Sequence, residues 1–218
     1  MGTKLSDIRR ELIGHLPFSV AASAVGLLLA GLISFFTTGA HGDHDLFHLF
    51  HPLHMLFSGA ATAAMFRRHD RYHSSPPLRS FLRATLIGLV GAIVVCGISD
   101  IAIPHAAVLL LGKSVHLHIC VIEEPGLVLP FAFIGVLVGA LAADAVKRST
   151  VISHSLHVGI SSMASILYIM EAFDGTEWMG SLGMIFPFVI FAVTIPCCLS
   201  DILFPMGCCC SAQKDAPV

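Results

Sequence analysis

The feature that most constrains this chain is the length of its uncharged apolar runs. From Leu16 to Thr37 there is no charged residue, and five further segments are nearly as apolar: His51 to Phe66, Arg83 to Leu111, Gly126 to Val146, Val151 to Met170 and Met179 to Met206. A helix needs about 20 mostly apolar residues to cross a bilayer core. The pattern therefore predicts an all-α integral membrane protein with six transmembrane helices. The second segment is short and is expected to begin earlier, within the His-rich stretch before it. Composition agrees. Charged residues make up 12% of the 218 and hydrophobic residues 56%, with a mean hydropathy of +0.85. A soluble domain carries about 25% charge, so this chain has too little polar surface to cover a water-facing globule. Its implied solvent and first partner is the lipid bilayer. A net charge of −2 with His neutral offers no basic field for nucleic acid. The first apolar run is longer than a signal-peptide core and shows no clear cleavage site, so it reads as a retained helix.

The basic residues orient the segments. Lys4, Arg9 and Arg10 precede the first; Arg67, Arg68, Arg71, Arg79 and Arg83 fall between the second and third. Lys147 and Arg148 separate the fourth from the fifth, and Lys214 follows the sixth. Eleven of the 12 Lys and Arg thus share one side, and only Lys113 lies on the other. The positive-inside rule places that side, with both termini, in the cytoplasm, in a plasma or inner membrane. The opposite side is acidic and His-rich: Asp43, His44, Asp45, His116, His118, Glu123, Glu124, Glu171, Asp174 and Glu177.

The chain also repeats itself. His-Pro-Leu-His-Met-Leu-Phe-Ser at 51–58 matches His-Ser-Leu-His-Val-Gly-Ile-Ser at 154–161, an offset of 103. Cys-Gly-Ile-Ser-Asp-Ile-Ala-Ile-Pro at 96–104 matches Cys-Cys-Leu-Ser-Asp-Ile-Leu-Phe-Pro at 197–205, an offset of 101. Leu-Pro-Phe at 16–18 recurs at 129–131, an offset of 113 that also aligns Glu11 with Glu124 and Gly26 with Gly139. Three blocks in one order define two units of three helices: a first repeat over 1–112, an outer connection over 113–125, a second repeat over 126–207, and a Cys-rich cytoplasmic tail over 208–218. Three is odd, so the second copy runs inverted across the bilayer, an arrangement common in secondary transporters.

What the copies retain is chemistry. His51, His54 and Ser58, and their counterparts His154, His157 and Ser161, are spaced by three and four residues and so share a helix face. Paired His at that spacing can hold a metal. Ser99, Asp100 and Pro104 recur as Ser200, Asp201 and Pro205. A carboxylate inside a membrane is costly and takes a partner, while Pro frees a backbone carbonyl. Glu11 and Glu124 open the first helix of each copy, and His105 and Met206 follow the two prolines. Histidine with carboxylate suits zinc, nickel, cobalt, manganese or ferrous iron better than magnesium or calcium. The nearby Cys and Met residues leave copper(I) open.

The sequence therefore predicts a transporter or channel for divalent transition-metal ions. Topology groups His51, His54, Asp100 and Glu124 toward the outside and His154, His157, Asp201 and Glu11 toward the cytoplasm, as two sites flanking the midplane. The stretch from Gly39 to Phe50, with His44 and His48, reads as a loop that joins His116 and His118 in an ion-collecting vestibule. Other readings stay open. Asp100 and Asp201 can cap or bridge helices, and Gly26 and Gly139 are simplest as packing residues. A membrane-embedded metal or haem enzyme would use the same paired His, and a proton channel would use His and Asp as a relay. Cys208 to Cys210 can bind metal or carry palmitate, and the N-terminus loosely fits a myristoylation pattern. A bundle this small is compatible with a homo-oligomer.

Overall fold

The computed structural model describes residues 5–36, 41–71, 76–143, 150–175 and 177–198. Among these residues every regular element is helical. Helix α1 spans Leu5–Phe36 and α2 spans His41–Arg71. A continuous rod follows over Pro77–Leu110. It consists of α3 (Pro77–Val90), π-helical turns at Gly91–Val95 and Ile98–Ala102, and α4 (Ile103–Leu110). An irregular connection leads to the short α5 (Cys120–Glu123) and then α6 (Pro125–Leu141). Helix α7 spans Thr150–Met170, and a 3-10 turn at Glu177–Ser181 precedes α8 (Leu182–Cys198).

Local chemistry explains several boundaries. Pro77 and Pro125 open α3 and α6, where a helix has no use for the missing N–H. Gly112, at φ 72°, closes α4. The Gly112 N–H donates to Leu109 O and the Lys113 N–H to Val108 O, each at 3.1 Å, which satisfies two terminal carbonyls in a Schellman pattern. Pro104 has no N–H for the carbonyl four residues back, at Asp100, and its ring crowds that position. The turn just before it widens to π geometry, with the Ile103 N–H reaching Ile98 O. Such widened turns gather at functional sites, and this one carries Ser99 and Asp100.

Helix α2 lies at the centre, packed against α6, α7 and the rod, while α1 packs against α7 and α8. The α2–α6 approach depends on glycine. A methyl group added at Gly135 or Gly139 would run into the backbone of Leu56 or Ala60. This is the small-residue spacing, Gly-x-x-x-Gly, that lets two helix backbones nearly touch. Gly26 makes a looser contact, where an added methyl would meet the side chains of Ile166 and Ser162 on α7 at 3.1 and 3.5 Å. The sequence-matched Gly26 and Gly139 thus lie where α1 packs on α7 and α6 packs on α2.

Two helical stretches, Pro77–Leu110 and Glu177–Pro196, are long and apolar enough to cross a membrane; Val20–Ile33, Pro125–Leu141 and Leu156–Met170 are shorter apolar helices. The exterior is greasy: Leu28, Leu86, Leu110 and Leu141 are each at least 64% exposed. The interior holds His51, His54, Ser99, Asp100, His157, Ser161, Ser162 and Ser165.

Two expectations change. The second apolar segment begins earlier, as expected, and because α2 is helical from His41 onward, His41 to Phe50 is not the loop also expected there. The connection at 113–125 is irregular only as far as Ile119. Asp201, Pro205, Met206 and the Cys tail lie outside the described residues, as do the side chains of Glu11 and His154.

Candidate functional site: a buried histidine–aspartate cluster

Three elements meet at one carboxylate. Helix α2 presents His51 and His54, one turn apart. The widened turn of the rod presents Ser99 and Asp100. Helix α7 presents His157 and Ser161. His51 Nδ1 lies 2.8 Å and His54 Nδ1 2.7 Å from Asp100 Oδ2. Ser99 Oγ donates to Oδ1 at 2.8 Å and Ser161 Oγ donates to the same oxygen at 3.1 Å. An ionised carboxylate only accepts and has about four lone-pair sites, so these four donors saturate Asp100. Both imidazoles must donate through Nδ1, and a neutral ring then carries its lone pair on Nε2. A carboxylate holding Nδ1 is the usual way a protein orients a histidine that binds metal through its other nitrogen.

His157 completes the group. Its ring meets that of His54 with centroids 4.7 Å apart and planes tilted by 53°. The side chains of His54 and Asp100 are fully buried, and His51 and His157 nearly so. Around them the framework is tight. Ser165 Oγ sits 3.0 Å from Ser99 O and 2.9 Å from Ser161 O, tying α7 to the rod. Ser23 and Ser162 hydroxyls meet at 3.3 Å between α1 and α7. Phe47 stacks on His51 at 5.3 Å and meets Tyr168 edge-on at 5.5 Å. The Tyr168 hydroxyl donates to His116 O at 3.3 Å and lies 3.2 Å from His105 Nδ1.

The cluster joins His51, His54 and Asp100 as expected, but it is one site where the sequence predicts two flanking sites. His157 and Ser161, from the second His-x-Leu-His-x-x-x-Ser motif, sit in the same cluster as residues of the first. His54 and His157 hold matching places in the two motifs, and their rings are in contact. Ser58 is buried one turn beyond His54 on α2. Glu124 lies elsewhere. Its Oε2 is 3.3 Å from His48 Nδ1, and its side chain is 43% exposed.

Beyond the N-terminal side of the cluster, His44, His48, His118, Cys120, Glu123, Glu124 and Glu171 form an outer group. His44 Nδ1 lies 3.0 Å from Glu171 Oε1, and His48 Nε2 lies 3.1 Å from His44 Nε2. His118 Nδ1 pairs with Glu123. The Ile119 N–H, aided by His118, holds the Glu123 carboxyl below its usual range. Burial pushes the Cys120 thiol up to about 12. The His116 ring is exposed. Cys120, Ser165 and Tyr168 were not singled out from sequence. The His-x-Cys spacing at 118–120 was a readable signal for the first; nothing local marks the other two.

No protein-family model matches this chain, and neither a curated protein nor a solved structure matches it.

Proposed function

We propose that this chain is a membrane transporter or channel for divalent transition-metal cations, built as six spanning helices in two inverted repeats. The observation that carries the reading is the contact of His54 and His157, at matching places in the two repeated motifs, beside Asp100 in a buried cluster. Inverted-repeat transporters hold their substrate at the repeat interface near the bilayer midplane. An apolar exterior around a polar, histidine-lined interior supports lipid as the solvent. The reciprocal packing of the matched glycines supports the repeat, and the one-sided basic residues support cytoplasmic termini.

In this reading His51, His54 and His157 supply imidazole nitrogens that replace water around the ion. Asp100 stays out of direct coordination. It fixes both α2 histidines through Nδ1, and its negative charge offsets the cation in a low-dielectric site. The serines hold the carboxylate in place. Zinc, nickel, cobalt, manganese and ferrous iron all accept such ligands. A proton channel is the second reading, and the direct contact of the buried His54 imidazole with the Asp100 carboxylate, two groups able to exchange a proton, favours it.

The test is flux into proteoliposomes for each of these metals, with a pH-sensitive dye reporting protons. Metal flux should occur for at least one ion and fall in both His54→Ala and His157→Ala. Metal flux unaffected in both variants, or proton flux alone, would overturn the metal reading.

A further inference from the structure

A second group of ligand-type atoms lies where α2, the irregular connection and α5 converge. One donor atom each from His48, His118 and Cys120 lies within 4.8 Å of the others. Cys120 is a fully buried free thiol. His118 turns Nδ1 toward Glu123, and its Nε2 is buried with no hydrogen-bond partner. This is the carboxylate–histidine arrangement that leaves one nitrogen for a metal.

Counting protons along α2 leads to the same place. A carboxylate only accepts, so His44 Nδ1–H donates to Glu171. The lone pair of neutral His44 is then on Nε2, which accepts from His48 Nε2–H. That leaves the lone pair of neutral His48 on Nδ1. Yet His48 Nδ1 faces Glu124 Oε2 at 3.3 Å and is buried with no hydrogen bond. Two lone-pair atoms facing each other take either a proton or a metal cation between them, and the unpartnered His118 Nε2 and the Cys120 thiol close by supply further ligands for a metal.

We propose that His48 Nδ1, His118 Nε2, Cys120 Sγ and Glu124 Oε2 form a four-coordinate zinc site at the outer mouth of the protein. The chemistry selects the ion: thiolate, imidazole and carboxylate in a tetrahedral set suit zinc. Zinc bonds of about 2.0–2.3 Å place tetrahedral ligand atoms about 3.4–3.6 Å apart. The His48–Glu124 edge, at 3.3 Å, is already close to that. The three atoms of the His48–His118–Cys120 group need to contract by roughly 1 Å, and Glu124 Oε2, which lies outside that group, must swing toward His118 and Cys120. The part-exposed Glu124 gives an ion access from solvent. Zinc displaces the thiol proton to solvent as the Zn–S bond forms. One turn further along α2 stands His51, at about 4.5 Å of axial rise, so the site can hand an ion inward. That hand-over rests on the transport reading; the zinc binding does not.

The experiment uses the full-length protein in detergent micelles, titrated with cobalt(II) as the spectroscopic probe and zinc as competitor. One equivalent of cobalt should give a thiolate charge-transfer band with tetrahedral ligand-field bands, and zinc should erase both. Cys120→Ser should lose the charge-transfer band. His118→Ala should keep the band but weaken cobalt binding more than about 10-fold. Leu141→Ala, on the exposed exterior, should leave the spectrum as it is. Absence of a thiolate band in the wild-type chain, or an unchanged band in Cys120→Ser, overturns the proposal, as does unchanged affinity in His118→Ala. A normal band with no metal flux sinks the transport reading and leaves the zinc site standing; flux without the band does the reverse.

Discussion

Asp100→Asn separates the role of charge at the buried cluster from the role of shape. Asparagine keeps one acceptor oxygen, which can still receive Ser99 and Ser161, as Oδ1 does at 2.8 and 3.1 Å. It presents an NH2 group where Oδ2 now accepts two Nδ1–H bonds at 2.8 and 2.7 Å. Hydrogen bonds to a charged group are worth about 1.5–3 kcal/mol each, so the gross loss is roughly 3–6 kcal/mol. Removing a buried charge returns a desolvation cost of several kcal/mol. The two effects largely offset, and the folded state should survive with a modest change in thermal stability. Function should not be spared. The rings must turn or change tautomer, which spoils the presentation of Nε2. Loss of such an orienting partner costs about 10–100-fold in metal affinity, or about 1.4–2.8 kcal/mol at 1.4 kcal/mol per decade. The assay is the concentration dependence of metal flux in proteoliposomes, alongside a thermal unfolding curve in detergent. Wild-type concentration dependence in a well-folded Asp100→Asn protein would refute the orienting role. So would a loss reproduced in full by Ser161→Ala, which removes one hydrogen bond to the carboxylate and leaves both Nδ1–H bonds in place.

Two further outcomes follow from packing and topology. Gly139→Ala forces α6 away from the Ala60 carbonyl of α2 and should destabilise the protein by about 1–3 kcal/mol, while an exposed Leu141→Ala should change it little; equal unfolding temperatures for the two would contradict the close approach. In a background lacking the Cys208 to Cys210 run, a thiol placed at Arg79 should label only from the cytoplasmic side and one at Ser114 only from outside, and labelling of both from one side would end the six-span topology.

The sequence alone determined the helices and the polar faces they carry. The period that places His51, His54 and Ser58 on one face is local, set by 3.6 residues per turn, and so is the π turn around Asp100 that Pro104 enforces. Repeated motifs even named the chemistry, His with Asp and Ser. Which faces meet was not local. His157 reaches His54 because α7 packs directly against α2, on a helix that Gly135 and Gly139 also let α6 approach closely. Saturation of Asp100 needs donors from α2, the rod and α7 at once, a condition no single segment can express. The same non-local logic moved Glu124 away from Asp100 to His48 and drew in Cys120, which by itself is only a small apolar residue. Sequence periodicity states which side chains share a helix face, while the depth of approach between helices decides which of those faces become a site.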